Sequence, residues 1–317
     1  MEANEQEMMV EGLREVNYTE RKITRAAEET NKERFRHHFG ADPAIVCAIE
    51  YDLQHSQHED SFIAPADFKR KHLFIALHTL RKYPTEIERE PIFDISPHYG
   101  RDVSWNYIRK IRGLKHQKIR FPDAFPEGSV WIMSVDGVHA KCQEMRIPEF
   151  SQDMEQYSHK SNSAGWGYEI GLSLTESSVI WMKGPNKCGD NDLRVFTKEG
   201  GLKEKLLSVN KKAIGDNGYQ GHHEAISAPN AFDGRPVRKF KTRAMNRTEK
   251  FNGMLKIFES LNGTFRSDDK EKFASVFEAV VVVCQYKMEM GQPLFDILVE
   301  DIMTEADDSS DDDSTAA

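Results

Sequence analysis

Three acidic residues have types and positions that could support one chemical reaction. Asp136 and Asp216 each end an apolar run that predicts a β-strand, and Glu249 lies inside a stretch with helical spacing. Carboxylates at two strand ends and on a later helix can converge on one point, and Mg²⁺ prefers carboxylate oxygen. Two divalent ions about 4 Å apart can activate the attacking oxygen and stabilise the leaving oxygen of a phosphodiester. The pattern therefore predicts a nuclease site in which the three acids are both metal ligands and catalytic residues.

Each acid also has a structural explanation that involves no metal ion. An Asp followed by Gly at a strand end is typical of a turn, and Glu249 could form a surface salt bridge with a basic residue one turn away. Glu169 and Asp192 are polar residues near the predicted site, where each could cap a helix, orient a metal ligand or have no function. The three acids are therefore informative as a set, if the fold brings them together.

The composition describes a globular chain long enough for two domains. Of its 317 residues, 38% are hydrophobic and 30% are charged. Because no apolar run approaches the roughly 20 residues of a membrane span, we expect no transmembrane helix. The acidic, polar beginning is unlike a secretory signal. Four scattered cysteines without a CxxC pair argue against a zinc ribbon or a redox dithiol and predict reduced thiols.

The net charge of −9 is unevenly distributed along the chain. Residues 300–317 contain eight acids and no Lys or Arg, so the rest of the chain is close to neutral. Residues 68–120 carry thirteen Lys and Arg against five acids, and residues 235–257 carry eight against one. Such basic regions could contact a phosphate backbone, or they could be ordinary solvated helix faces.

The apolar periodicity changes along the chain and predicts four consecutive segments. Residues 1–64 form a polar, helical arm, and residues 65–125 form helices in a helix-turn-helix-like, DNA-binding arrangement. Residues 126–295 contain several strands and then strands alternating with helices, which predicts an α/β layer fold. The acidic segment 296–317 is too polar to pack, and we predict that it is disordered.

Basic residues in two of these segments are predicted to bind DNA. The second helix of the helix-turn-helix-like region, with Ser96 as its predicted N-cap and Pro97 in its first turn, has a basic face. Two further arginines lie near Glu249, where they could contact phosphate. The residues predicted to bind DNA are Arg101, Arg109, Lys110, Arg112, Lys115, Arg243 and Arg247.

Five short motifs surround the acids. They are Ser134-Val135-Asp136-Gly137, Tyr168-Glu169-Ile170, the segment from Gly184 to Asn191-Asp192-Leu193, Gly215-Asp216-Asn217-Gly218-Tyr219, and Glu249 followed by Gly253, Leu255 and Lys256. With these motifs the chain resembles the DDE transposases of the PIF/Harbinger superfamily, well over residues 130–265 and more loosely over residues 65–125. The last motif departs from the family's Glu-x-x-Phe-Gly, because Phe251 is at +2 and Asn252 follows it.

The resemblance implies an α/β fold with an RNase H-like core, a mixed sheet flanked by helices, after a helical, helix-turn-helix-like region. It implies that Asp136, Asp216 and Glu249 hold two Mg²⁺ or Mn²⁺ ions and act on double-stranded DNA, with water and then a freed DNA 3′-hydroxyl as nucleophiles. The resemblance also implies a Myb-like helper protein as a partner. A homo-oligomer is a further possible assembly, and we expect no association with a membrane. We expect a nuclear location in a eukaryote and a cytoplasmic one otherwise.

Three functional hypotheses remain open at this point. The first is an active, metal-dependent DNA endonuclease or transposase that hydrolyses phosphodiesters and transfers strands. The second is a domesticated, transposase-derived DNA-binding or scaffold protein that no longer cuts. The third is a protein whose basic segments only solvate its surface, so that it binds no nucleic acid.

Overall fold

The computed structural model describes residues 2–143, 157–158 and 163–297. Almost all of the predicted acidic tail, 296–317, lies outside the described residues. The described part is a mixed α/β protein with a sheet flanked by helices, as the sequence predicted at this coarse level.

The first part of the chain is entirely helical. Its elements are α1 (Glu2–Glu15), α2 (Glu20–Thr24), α3 (Glu28–Phe39), α4 (Pro43–His55), α5 (Arg70–Lys82), α6 (Glu86–Phe93), α7 (Pro97–Gly113) and α8 (Lys115–Lys118).

Strands and helices are mixed in the remainder. The elements are β1 (Trp131–Lys141), β2 (Tyr157–Ser158), β3 (Ser163–Ser173), β4 (Val179–Lys187), α9 (Asp192–Thr197), α10 (Leu202–Ser208), β5 (Lys212–Ile214), a 3-10 turn (Asn217–Tyr219), β6 (Ile226–Ser227), α11 (Arg235–Lys256), α12 (Glu259–Asn262) and α13 (Lys270–Met290).

The chain divides into two compact units, each assembled from separate stretches of sequence. The helical unit comprises residues 1–118, 140–143 and 253–292, and the sheet unit comprises residues 119–139, 144–252 and 293–317.

This division differs from the four consecutive segments that the sequence suggested. α13 was expected inside the catalytic domain 126–295, but it belongs to the helical unit together with the N-terminal helices. Its residues from Phe273 to Met288 are all buried, and they include Glu278 and Lys287 besides the apolar run of four valines. α13 packs against α7 and α4. The C-terminal helix therefore supplies core to the N-terminal part of the chain.

The segment 1–64 contributes to that core as well. Leu13 of α1, Phe35 and Phe39 of α3, and Ile49 of α4 are fully buried. The segment is therefore packed and is not a projecting arm. Among the helices that the structure describes, none is long and apolar enough to cross a membrane.

α7 packs against both α5 and α6. α6 begins with a capping box between Thr85 and Glu88, which satisfies backbone donors that a helix N-terminus otherwise leaves unpaired. The predicted start of α7 is confirmed, because the Ser96 side chain accepts from the Tyr99 N–H and Pro97 follows. The second helix of the predicted helix-turn-helix-like region therefore exists as α7, and α5 and α6 precede it in the chain.

The sheet unit is built on a mixed sheet. The strand order is β2-β3-β1-β5-β6, and β4 also pairs with β3. β3 and β4 are antiparallel, whereas β5 is parallel to both β1 and β6. Parallel neighbours require a crossover connection, and α9 and α10 lie between β4 and β5 in the chain.

Helices cover both faces of this sheet. Ile132 and Val135 of β1 pack in a cluster with Phe196 of α9 and with residues of α10. Trp131 of β1 lies in a separate cluster with Phe240 of α11. The successive residues Trp131 and Ile132 thus pack in different clusters, as expected for opposite faces of a strand, although the ladder is irregular between Trp131 and Met133. α9 and α10 pack on the Ile132 side and α11 packs on the Trp131 side.

Candidate functional site

Asp136 and Asp216 lie side by side in the sheet unit. β1 and β5 are parallel and Ser134 pairs with Ile214, so each acid is two residues beyond this pair on strands about 5 Å apart. Asp216 caps the 3-10 turn, and its Oδ1 accepts from the Gly218 N–H at 2.8 Å. β1 continues well past Asp136, so this acid lies within a strand and not at the predicted strand end.

The surroundings of Asp136 oppose its ionisation. Its pKa is raised to about 6 in total, because burial and the charges of Asp216 and Asp192 raise it more than two hydrogen bonds lower it. Those bonds come from Asn252 Nδ2, at 2.9 Å from Oδ2, and from the Gly137 N–H, at 2.8 Å from Oδ1. A carboxylate that is buried beside two others is typical of a site that works with a cation.

Asp192, at the start of α9, is the third acid in this cluster. A Cβ added at Gly137 would collide with its Oδ1, and a Cβ added at Gly218 would lie 3.0 Å from its Oδ2 and 2.9 Å from Oδ1 of Asp216. The Asp192 and Asp216 oxygens are therefore no more than about 6 Å apart, which ions about 4 Å apart can bridge. From the sequence, Asp192 was expected only to cap a helix, to orient a metal ligand or to have no function, although the two glycines that follow the other acids were the available signal.

α11 approaches the same part of β1. Thr248 Oγ1 donates to Ser134 Oγ at 3.0 Å, and one turn later Asn252 donates to Asp136. Glu249 lies three residues before Asn252, and side chains at this spacing are neighbours on a helix surface. Its side chain is exposed, and within the described residues no hydrogen bond or ion pair involves it. The structure therefore brings Asp136 and Asp216 together with Asp192 and leaves Glu249 at an adjacent helix position.

The carboxylates are not already set in a metal-binding arrangement. Among the described residues, no three His, Cys, Asp or Glu side chains are placed so that they could hold one ion. Asp136 uses both oxygens for hydrogen bonds, and like charges separate when no cation lies between them. The donors nevertheless fit Mg²⁺ or Mn²⁺ in kind, since they are carboxylate oxygens from different elements.

A second group of buried polar side chains lies beside Asp192. Glu169 of β3 accepts from Trp181 Nε1 at 2.8 Å. Burial raises the pKa of Glu169 to about 7, and the Asp192 charge also raises it. Tyr219 is buried too, and its pKa is raised well above the ordinary value by burial and by the nearby acids. Burial and the neighbouring acids therefore favour the neutral, protonated forms of Glu169 and Tyr219.

Several of the residues predicted to bind DNA are used inside the helical unit. Arg112 Nε lies 2.8 Å from Glu278, and Lys115 Nζ lies 2.5 Å from the same carboxylate, which is buried in α13. Lys110 donates to the Glu59 carbonyl at 2.8 Å. All three basic side chains therefore have intramolecular partners, and their contact with DNA stays a prediction.

Arg101 and Arg109 remain at the surface of α7. Arg101 lies 3.3 Å from Asp102 and 3.8 Å from Glu86, with about two-fifths of its side chain exposed. Arg109 is exposed. Of the α7 residues predicted to bind DNA, Arg101 and Arg109 are therefore accessible to a phosphate backbone.

Arg247 has a structural role that the sequence did not reveal. It is 1% exposed and donates to the carbonyls of Phe295 at 2.8 Å, Ser173 at 3.0 Å and Glu176 at 2.6 Å. Arg243 donates to the Asp296 carbonyl at 2.8 Å. The prediction that Arg247 contacts phosphate is therefore wrong for this conformation, since its guanidinium holds the segment after α13 against the sheet unit.

Comparisons of the chain with protein families, with curated proteins and with solved structures found no match.

Proposed function

We propose that the chain is a DDE-type, metal-dependent DNA endonuclease or transposase with an RNase H-like core. The observation that supports this most is the approach of Asp136, Asp216 and Asp192, which come from a strand, a strand-to-turn junction and a helix start. The mixed sheet flanked by helices is compatible with the proposed core. Phosphodiester chemistry suits such a cluster, because charge must be stabilised on both the attacking and the leaving oxygen.

The chain's own residues would orient the ligands. Asn252 and the Gly137 N–H fix the plane of the Asp136 carboxylate, and the Gly218 N–H fixes one oxygen of Asp216. Two bound Mg²⁺ or Mn²⁺ ions would lower the pKa of the attacking water and neutralise the leaving oxygen. Hydrogen bonds of this kind hold metal ligands in productive orientations and are worth about 10–100-fold in metal affinity.

The identity of the third ligand separates two versions of this proposal. The resemblance to DDE transposases assigns the role to Glu249, whereas the geometry favours Asp192, whose charge already acts on Asp136. Glu249 would need to turn from solvent toward the position of Asn252, one helical turn away. Asp192 needs no such movement, since it already lies against Gly137 and Gly218.

Nicking of supercoiled plasmid DNA in Mn²⁺ or Mg²⁺ tests the proposal. The variants Asp136→Asn and Asp216→Asn should each lose about 100-fold or more of the wild-type rate, because each removes a metal ligand. Asp192→Asn and Glu249→Gln are compared in parallel, and the larger loss identifies the third ligand. Asp123→Asn, which changes an exposed acid in the segment before β1, is the matched control and should retain the wild-type rate.

A folded wild-type protein that leaves plasmid DNA intact with both metals would refute the cutting function. Nicking that survives in Asp136→Asn at the wild-type rate would do the same, since it would come from a contaminant or another site. Folding of each variant is checked by circular dichroism.

A DNA-binding protein that does not cut is the second candidate, and one observation favours it. Within the described residues the carboxylates are not set for a metal ion. Under this alternative Asp136→Asn would leave DNA affinity and cellular phenotype unchanged, and wild-type protein would not nick DNA. Duplex affinity that does not fall with added salt would count against both candidates, because phosphate contacts release counterions.

A further inference from the structure

One aromatic side chain of the sheet unit lies almost entirely in solvent. Phe232, between β6 and α11, is 98% exposed, more than any other large apolar side chain among the described residues. Ile87, the next in exposure, is 75% exposed. Single apolar side chains are common at protein surfaces, but a ring as exposed as this one adds nothing to the core. Phe232 is therefore free to stack on a partner.

The loop that carries Phe232 is held by its own hydrogen bonds. Asn230 Oδ1 accepts from the N–H groups of Phe232 at 2.7 Å and Asp233 at 3.0 Å, and Asp233 Oδ2 accepts from the Asn230 N–H at 2.9 Å. Asp233 Oδ1 also lies 2.9 Å from Nζ of Lys241, which is buried in α11. These bonds fix the loop to the helix, so that less conformational freedom is lost when a partner binds the ring.

An exposed stripe of α11 begins beside this loop. Its residues recur every three or four positions, so they share one face of the helix. The exposed members are Arg235, Arg238, Lys239, Thr242, Asn246 and Glu249. We call the first three the basic patch, and within the described residues no hydrogen bond or ion pair involves their side chains. Between residues 225 and 248 the sequence has one acid, Asp233, and Lys241 pairs with it. The basic patch therefore has no counter-ion on its own helix.

The stripe leads from Phe232 towards the acid cluster. Glu249 lies about four turns beyond Arg235, which is about 21 Å along the helix axis. Asn252, in the turn that follows Glu249, donates to Asp136. A strand that is bound along the stripe would therefore reach the neighbourhood of Asp136.

We propose that Phe232 and the basic patch bind single-stranded DNA, with the ring stacked on an unpaired base and the three cations on the phosphates. Aromatic rings beside positive charge suit an unpaired strand, because every base has a face on which a ring can stack. In a duplex those faces are already stacked on one another. An acidic protein segment would match the charge but would not use the ring. The inference rests on the proposed function in taking DNA as the nucleic acid, but it does not require cutting.

Binding of labelled oligo-dT to the full chain, measured by fluorescence anisotropy in EDTA, provides the first test. Phe232→Ala should weaken binding by about 5–100-fold, the range expected for the loss of one stacked base. Phe232→Tyr keeps the ring and should bind like the wild type. An abasic strand of the same length has the phosphates without the bases, so Phe232→Ala should bind it as tightly as the wild type does. Tyr51→Ala removes an exposed ring of the helical unit and is the matched control, which should bind oligo-dT normally.

The salt dependence of oligo-dT binding tests the basic patch. Replacing its three residues together by Gln should reduce the slope of log affinity against log salt by about 2, because each phosphate contact on a single strand contributes about 0.7. The control replaces Arg21, Lys22 and Arg25, three exposed basic residues in the helical unit, by Gln. It removes the same charge and should leave the slope almost unchanged. Circular dichroism and the melting temperature confirm that each variant is folded.

The proposal would be overturned if folded wild-type protein does not bind oligo-dT, or if Phe232→Ala binds oligo-dT as tightly as the wild type. It would also be overturned if Phe232→Ala weakens binding of the abasic strand or of a fully paired duplex by as much as it weakens binding of oligo-dT. Tighter binding of oligo-rU than of oligo-dT would overturn the choice of DNA. If Phe232→Ala weakens oligo-dT binding while wild-type protein fails to nick plasmid DNA, the binding surface stands and the cutting function fails. If nicking requires Asp136 but oligo-dT binding does not depend on Phe232, the reverse holds.

Discussion

Replacing Asp136 with Asn should stabilise the metal-free protein at neutral pH. The pKa of Asp136 rises from 3.8 to about 6 in the folded chain, chiefly because burial disfavours the charged form. Since one pKa unit corresponds to about 1.4 kcal/mol, the ionised carboxylate lowers the free energy of unfolding by about 3 kcal/mol. The amide at position 136 carries no charge and avoids this loss.

The pH dependence of this gain has a definite sign. A folded-state pKa above the unfolded value means that the folded protein binds the proton more tightly between pH 3.8 and about 6. The stability contributed by protonated Asp136 is therefore complete below pH 3.8 and is lost as the pH rises through about 6. Asp136→Asn should match the wild type near pH 4 and exceed it by about 1–3 kcal/mol at pH 7.5. The Asn252 Oδ1 atom, which has no partner, can accept from the new amide.

Urea unfolding followed by tryptophan fluorescence measures this difference. Because the chain has two units, its unfolding need not be a single transition. A Trp105→Phe background removes the tryptophan of the helical unit, so the remaining tryptophans, Trp131, Trp166 and Trp181, report only on the sheet unit. Buffers contain a chelator, and the series runs from pH 4 to pH 7.5.

The control and the refuting result are both specific. Asp123→Asn removes an exposed acid and should change stability little at any pH. Mn²⁺ should stabilise the wild type and act less on Asp136→Asn, because a ligand that binds only the folded state raises its stability. The reasoning would be refuted if Asp136→Asn is less stable than the wild type at pH 7.5. It would also be refuted if the gain in stability over the wild type is the same at pH 4 and at pH 7.5.

Three further outcomes are expected. Asn252→Ala should raise the pKa of Asp136 by about 1–2 units, because it removes a hydrogen bond to a charged group worth about 1.5–3 kcal/mol. A ¹³C NMR titration of the carboxyl carbon measures this pKa, and an unchanged value would contradict the role of the bond. Arg247→Met should cost about 3–5 kcal/mol in urea unfolding, since it breaks three buried bonds. Arg243→Ala, which removes an exposed bond to the Asp296 carbonyl, should cost less, and equal costs would contradict the structural role of the buried guanidinium. Glu278→Gln should destabilise the helical unit, because Arg112 and Lys115 lose their buried partner. Since these two basic side chains lower the pKa of Glu278, the destabilisation should become smaller as the pH falls and Glu278 of the wild type is protonated. A destabilisation that is independent of pH would argue against the ion pairs.

The coarse fold followed from local sequence patterns. The apolar run before Asp136 became β1, and Ser96 with Pro97 started α7, because strand periodicity and helix capping depend on residues that are close together in the chain. The lengths of the strands did not follow, since β1 continues past Asp136 to Lys141 through a stretch that mixes polar and apolar residues. Pairing with other strands extended it, and a local pattern does not contain that information.

The partners of charged side chains also did not follow from the sequence. The sequence predicted that Arg112 and Lys115 lie on the basic face of a helix. In the structure both form ion pairs with Glu278, which is far away in the sequence. Arg247 lies in a basic stretch of α11 and is nonetheless buried by carbonyls from two distant segments. A charge count indicates where positive residues are, whereas only the packing of distant elements determines which of them remain available for phosphate.

The sequence by itself determined that two acids, Asp136 and Asp216, follow apolar strands in an α/β chain. The tertiary structure decided that β1 and β5 are adjacent and parallel, and that Asp192 arrives from the start of α9 to complete the cluster. The glycines after the first two acids looked like turn residues, yet they lie where any Cβ would crowd the third carboxylate. The physical reason is that turn chemistry acts between chain neighbours, whereas repulsion and steric exclusion act through space between residues that only the fold brings together.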